Sequence, residues 1–427
     1  MPWTASQFSL ADFYFSDTDS PLVPPPEYLE WRRETAWATS LYEPVLCDPA
    51  GPINHLQKGT GTARVINMTS YGYLGLVRHP AVIAAAREAL EEFGTGACGS
   101  PILSGKSVLH QRLEQQMAAL TGREAVLIYN SGFGGALGSA AGLMRKGDVA
   151  VVDARAHISL VDGVKVGGAR IVFFDHNDTA SLDEALTKTA GARRLIFVDG
   201  LYSMDGDMAD LPRLLDVAEA HRVGMFVDEA HSILCCGPTG GGVIEHFGVR
   251  DRVGLQYGTF SKGFSAVGGF AAASRDVIEY LRFYANPYGF TCALPPVVVA
   301  GLSAALGVMA TEPERRDVLW ANAAYFRNAL QAMGVNTGTS TSYIVPIVVG
   351  DDRALLYELG HALRDRGLFV TPVDYPTVPL DQARFRASVT TLHSRADLDA
   401  ALQILADVFV PVMRAKGLLR SSPDPAE

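Results

Sequence analysis

The hydrophobic pattern falls into three stretches. Residues 1–63 are rich in proline, aromatic and polar residues, with one helix predicted around Pro26–Thr39. They read as an N-terminal arm of the kind that clamps a partner subunit. From residue 64 to 300, short apolar runs alternate with segments in which apolar residues recur every three to four positions. The runs Ala125–Tyr129, Val149–Val152, Ala169–Phe174, Leu195–Val198, Val223–Val227, Val253–Tyr257 and Phe270–Ala273 predict buried strands. His79–Phe93, Val108–Thr121, Leu211–His221 and Asp276–Tyr284 predict helices. That alternation implies an α/β large domain whose mostly parallel sheet is covered on both faces. Functional side chains should collect where its strand ends meet helix starts. Residues 301–427 predict a long helix through Met333, then elements at Tyr343–Val349, His361–Arg366, Phe369–Thr371 and Arg384–Ser388, and a closing helix from Ser394. This order reads as a smaller α+β C-terminal domain, with Ser421–Glu427 as a disordered tail.

Composition narrows the function classes. A chain of 427 residues exceeds one ordinary core and suits two domains plus an arm. Its net charge of −10 argues against a broad nucleic-acid surface. The first twenty residues carry acidic side chains and no signal-peptide core, and the longest apolar run, Pro295–Leu306, is too short for a membrane span. The five cysteines, Cys47, Cys98, Cys235, Cys236 and Cys292, are scattered without C-x-x-C spacing. That pattern predicts a reducing compartment, by default the cytoplasm, and no metal site.

The chemistry concentrates after the predicted strands. Lys262 stands in Gly-Thr-Phe-Ser-Lys-Gly-Phe, residues 258–264, directly past a strand and among small and hydroxyl residues. An isolated lysine is ordinarily a solvated charge, but one placed so suits imine formation. Asp228 follows five apolar residues, where a carboxylate is costly to bury without a partner. A protonated pyridine nitrogen is such a partner; capping the next helix is the plainer alternative. The pairing of such a lysine with such a carboxylate is how an enzyme holds pyridoxal phosphate. His231, three residues on, is placed to reach that cofactor's phenolic oxygen. The turn Asn130–Gly135 after Ala125–Tyr129 aims backbone N–H groups and a helix start at an anion, a weak signal alone. Thr259 and Ser261 add hydroxyls. His157 is either a structural histidine or one stacked on the cofactor ring, and Ser203 either a turn residue or a hydrogen-bond donor to the cofactor. Arg384 and Arg386 share one face of a predicted strand, either as solvated residues or with one turned to bind a carboxylate.

Taken in order, these segments resemble the α-oxoamine synthases, the family of 8-amino-7-oxononanoate synthase, 5-aminolaevulinate synthase, 2-amino-3-ketobutyrate ligase and serine palmitoyltransferase. The likeness runs from Ser70–Leu76 through Leu103–Gly105, Ser107–His110, Ser131–Phe133, Asp205–Asp207, Asp228–Ser232 and Leu294–Pro296 to Tyr375–Pro379 and His393. It implies a fold-type I homodimer that binds pyridoxal 5'-phosphate near the subunit boundary. The reaction it implies is condensation of an amino acid with an acyl thioester, on coenzyme A or a carrier protein, with loss of carbon dioxide to give an α-aminoketone. Aminotransferase or decarboxylase chemistry, and a silent subunit of a heterodimer, are the alternatives. By the same resemblance Lys262 carries the cofactor, Asp228 meets its ring nitrogen and His157 stacks on its face. Ser203 and His231 lie by its phenolic oxygen, and Ser131, Gly132, Phe133 and Thr259 by its phosphate. Thr291 reaches a phosphate across the dimer, while Arg386, Asp374 and Tyr73 serve the substrate. The chain departs from the family at Asp374, where many members have Arg or Asn, and at Ser265, where Gly is usual. Asp374 is thereby expected to repel a substrate carboxylate.

Overall fold

The computed structural model describes residues Ser20–Arg420, so the expected tail and the first part of the arm lie outside the described residues. The chain divides into two compact units. One gathers the residues up to Ser70, the short piece Met204–Gly206 and the residues from Trp320 onward; the other holds Tyr71–Ser203 and Asp207–Leu319. This grouping differs from the expected division at 63 and 300, and the packing shows why.

In the first unit, the helix predicted over Pro26–Thr39 is broken at Thr35 into Pro26–Glu34 and Ala36–Thr39. Strands β1 (Ile53–Lys58) and β2 (Gly61–Asn67) then form an antiparallel hairpin. A two-residue sequence at the edge of the C-terminal segment, Leu368–Phe369, adds to β2 in parallel. The hairpin therefore completes its sheet with residues three hundred positions away, which draws it into that unit.

The second unit is built on a seven-stranded sheet. Its strands are β3 (Ala125–Tyr129), β4 (Val149–Asp153), β5 (Arg170–Phe174), β6 (Arg194–Asp199), β7 (Gly224–Asp228), β8 (Leu255–Thr259) and β9 (Gly269–Ala273), in the order β3-β9-β8-β7-β6-β4-β5. From β5 to β8 neighbours are parallel, and β9 runs antiparallel to β8 and β3. Strands buried on both faces need apolar side chains on both faces, which is why β4, β8 and β9 are buried along their whole length. Helix Pro296–Thr311 packs on helix Pro80–Phe93, so the chain just beyond residue 300 stays with this unit. The expected long helix through Met333 is two helices, Pro296–Thr311 and Glu314–Ala332. Pro313 has no N–H to continue the first and forces Glu312 out of helical backbone, at φ −124° and ψ 55°.

The C-terminal part of the first unit carries β10 (Ile344–Gly350), β11 (Leu368–Phe369), β12 (Thr371–Val373) and β13 (Ala383–Ser388). Strand β13 lies between β10 and β12, antiparallel to both. The element expected at His361–Arg366 is the end of a longer helix, Arg353–Asp365, whose start is fixed by the Asp352 carboxylate accepting from Leu355 N–H at 3.0 Å. Among the described residues no single helix is long and apolar enough to cross a membrane.

Candidate active site

Strand order reverses between β4 and β6, the position at which open α/β sheets form a crevice beyond their strand ends. Strands β4, β6 and β7 end in Asp153, Asp199 and Asp228. A cavity of about 220 Å³ opens there, lined on its polar side by Asp228, Asp199, Lys262, His157, His231 and Thr259, with Gly132, Phe133, Ser159, Tyr257 and Ser261 among the rest. Residues up to 130 positions apart in sequence meet in it because most of them sit at or just past the end of a strand.

Lys262 is held by its backbone. The loop between β8 and β9 folds back on itself through Phe260 N–H to Gly268 O (2.9 Å), Ala266 N–H to Phe260 O (2.8 Å) and Ser265 N–H to Lys262 O (2.8 Å). A Cβ on Gly263 would lie 2.6 Å from Ile233 O, so the residue after Lys262 must be glycine for the loop to approach this closely. Ser265 stands in the left-handed region at φ 57°. Asp228 is 3% exposed and accepts from Ala230 N–H at 2.8 Å. Burial raises its carboxyl to about 6 against the pull of the Lys262 ammonium and the Ala230 N–H.

The glycine-rich turn leads from β3 straight into a helix. Ser131 caps the helix Gly132–Leu143, its Oγ accepting from Gly134 N–H at 3.1 Å. A Cβ on Gly132 would come within 2.4 Å of Thr259 Oγ1, so the missing side chain is what lets the helix start close on that hydroxyl. Thr259 Oγ1 donates to Gly268 O at 2.9 Å and lies 2.9 Å from Ser261 Oγ. Tyr257 OH donates to Gly132 O and ties the strand to the helix start. Hydroxyls beside a helix N-terminus are an arrangement that can hold an anion.

His157 caps the helix Ile158–Gly167, and its Nδ1 meets Ser159 Oγ at 2.7 Å. Its ring stands edge-on to Phe133 at 6.3 Å. Crowding by protein atoms first, and the Lys262 ammonium second, hold its pKa below the usual range, so the ring is neutral. His231 is 6% exposed and takes a 2.9 Å hydrogen bond between its Nδ1 and the fully buried Tyr73 OH.

Not every expected residue lines this cavity. Ser131 and Tyr73 stand one residue back from it through the contacts above, and Ser203 lies outside its lining. The Thr291 hydroxyl donates to Pro287 O at 2.7 Å within its own segment. Arg386 and Asp374 belong to the other unit. There the two strand arginines are buried rather than solvated: Arg384 Nη1 reaches Asp205 Oδ1 at 2.8 Å, and Arg386 is 4% exposed. Asp374 accepts from Arg353 Nε at 2.9 Å and from Tyr357 OH at 3.1 Å, and Tyr357 OH lies 3.1 Å from Tyr42 OH. Its charge is therefore balanced by its own unit, which removes the basis for expecting it to repel a carboxylate.

Sequence reasoning passed over Asp199 and Tyr257. Asp199 ends an apolar run just as Asp228 does, and that parallel was the available signal. The residues fit pyridoxal phosphate on the structure's own terms: a lysine faces a buried acid across one cavity, and a glycine-shaped anion cradle and a neutral imidazole flank them.

The family described as aminotransferase class I and II matches residues 63–405. The chain is 43% identical over 349 residues, 80% of its length, to 4-hydroxy-2,2'-bipyrrole-5-methanol synthase PigH of Serratia sp., of which it spans only 53%. It is 37% identical to 8-amino-7-oxononanoate synthase of Thermoanaerobacter pseudethanolicus, covering 85% of this chain and 91% of that one. A solved lysine-to-alanine variant of serine palmitoyltransferase from S. paucimobilis, with a bound PLP–myriocin aldimine, superposes with a TM-score of 0.86 at 32% identity, covering 92% of this chain and 98% of that one. The chain thus belongs to the α-oxoamine synthases, the fold-type I, pyridoxal-phosphate-dependent acyltransferases that condense an amino acid with an acyl thioester.

Proposed function

We propose that the cavity residues divide the work of this condensation as follows. Lys262 would hold the cofactor and, with its amine free once the amino acid is bound there, would serve as the base that takes the Cα proton. Asp228 stays ionised and keeps a proton on the ring nitrogen. His157 covers the ring face as a neutral imidazole, and the Tyr73–His231 pair and Ser203 serve the phenolic oxygen. Gly132, Phe133, Ser131 and Thr259 hold the phosphate at the helix start. Bound pyridoxal phosphate supplies a carbonyl for the substrate amine and a ring that delocalises the electron pair left at Cα. Arg386 is the candidate for the amino acid's carboxylate, and Asp374 acts as an internal brace. We place the enzyme in the cytoplasm as a homodimer, with Thr291 reaching toward the partner's phosphate.

The observation that carries this reading is Lys262 and the buried Asp228 facing one cavity beside the anion cradle. The test is release of free thiol from acyl-coenzyme A and from an acyl carrier protein, with each common amino acid supplied in turn. The expected result is thiol and carbon dioxide released only when both substrates are present, falling by about a thousandfold or more in Lys262→Ala. Amino-group exchange or carbon dioxide release without thiol would replace this reading with transamination or simple decarboxylation. A purified protein that takes up no cofactor would make it a silent subunit.

A further inference from the structure

Two of the three strand-end aspartates share the cavity. Asp199 and Asp228 are register partners on adjacent parallel strands, whose backbones run about 4.8 Å apart. Each is 3% exposed, and each lines the cavity. Their partners differ. Asp228 accepts from Ala230 N–H, and Asp199 Oδ1 accepts from the backbone N–H of His157 at 3.1 Å.

The third aspartate, Asp153, is fully buried and well satisfied. It accepts from Arg155 N–H at 2.8 Å, from Asn177 N–H at 3.2 Å and from His176 Nδ1 at 3.1 Å. The other ring nitrogen of His176 meets Asp207 at 3.0 Å. A ring with a carboxylate on each nitrogen donates from both, so His176 is an imidazolium and balances Asp153. The groups facing Asp199 are then Asp228 from β7, Asp153 from β4, the His157 N–H, the buried Tyr202, and Lys262 from the loop after β8.

Two buried carboxylates at this spacing, facing one ammonium, do not both ionise. Burial first, and the charge of Asp228 second, push the Asp199 carboxyl up. The proton falls on Asp199 because the Lys262 ammonium is the leading influence that favours an ionised Asp228, and Asp228 is the one that meets a ring cation.

We infer that Asp199 is a positioning residue, a neutral carboxylic acid beside the ionised Asp228 that leaves the cavity floor one negative charge for the ring nitrogen and anchors the backbone of the covering histidine. The inference rests on Lys262 and Asp228 being the cofactor's anchors. It is read in the resting holoenzyme without either substrate, so a failure of thiol release leaves it standing.

The experiment is infrared spectroscopy of the holoenzyme at neutral pH in light and heavy water, with cofactor affinity measured by equilibrium dialysis. A protonated-carboxyl band that shifts in heavy water and disappears in Asp199→Asn is expected. Glu229 is buried and pushed up to about 7 by burial, and Glu229→Gln identifies its separate band. Asp199→Asn keeps an oxygen for the His157 N–H and should hold the cofactor within about threefold of the parent, whereas Asp199→Ala should lose about tenfold. A wild-type spectrum whose carboxyl band survives Asp199→Asn unchanged overturns the inference. So does an Asp199→Asn protein that loses the cofactor as badly as Asp199→Ala, since the residue would then act through its charge.

Discussion

At the scale of single residues, what decides a role is the partner a side chain finds rather than its type. Asp374 looked from the sequence like a misplaced charge at the substrate. In the structure Arg353 and Tyr357 both donate to its Oδ2, with the carboxylate 12% and the guanidinium 10% exposed. Asp374→Asn is therefore expected to weaken a partly buried network and cost about 1–3 kcal/mol of stability, read from denaturant midpoints. A stability within experimental error of the parent, together with a changed amino-acid preference, would return the residue to the substrate. His176 makes a second case. Burial opposes its charge, but the hydrogen bonds its ring donates to Asp153 and Asp207 overcome this and raise its pKa from 6.5 to about 9. Below about 6.5 both folded and unfolded chains hold the proton, and the stabilisation is fully present. Between there and about 9 only the folded chain holds it, so this contribution declines as pH rises and is gone above. His176→Gln should accordingly flatten the decline in unfolding midpoint between about pH 6.5 and pH 9, and an equally steep decline in the variant would show that another group sets it.

At the scale of elements, the loop between β8 and β9 shows how close approach selects residues. Its Ser265 holds φ at 57°, where a side chain costs about 1–2 kcal/mol and glycine almost nothing. Glycine loses more chain entropy on folding, so Ser265→Gly is expected to gain only about 0.5–1 kcal/mol in chemical denaturation. A loss instead would mean that the Ser265 hydroxyl, 3.5 Å from Lys262 O, matters more than the backbone. The strands of the seven-stranded sheet were legible because a strand buried on both faces must be written as an apolar run. The lysine, the first acid and the glycine-rich turn were legible because they follow such runs directly. What escaped depends on pairing across the sheet: Asp199 becomes a site residue only when β6 is set in register with β7. The hairpin Ile53–Asn67 escaped for the same reason, since its third strand comes from Leu368–Phe369. Pro313 was legible as the break between Pro296–Thr311 and Glu314–Ala332, since a proline cannot continue a helix.

At the scale of the whole molecule, the question is what covers the apolar side chains that the second unit leaves outside. Leu103 and Phe290 are 84% and 85% exposed. Their segments are neighbours: Ala293 N–H donates to Gly99 O at 2.8 Å, and a Cβ on Gly289 would lie 3.1 Å from Ile102 Cδ1. Large apolar residues gathered so on a surface are the kind of patch that a contact with another chain would cover. A closed two-fold dimer buries each patch against its own copy or a neighbouring surface and leaves none open. Thr291 sits between Phe290 and Cys292 in this same segment, which is how one chain would bring its hydroxyl to the other's phosphate. The holoenzyme is then expected to sediment at twice the mass of the 45.7 kDa chain. The double substitution Leu103→Asp with Phe290→Asp should give single chains with unchanged helix content and a cofactor affinity about tenfold lower, roughly 1.4 kcal/mol. If the parent sediments as a single chain, the exposed patch serves something else. A double variant that is monomeric but holds the cofactor as tightly as the parent would mean that each cavity is complete in one chain and that Thr291 takes no part in the other's phosphate site.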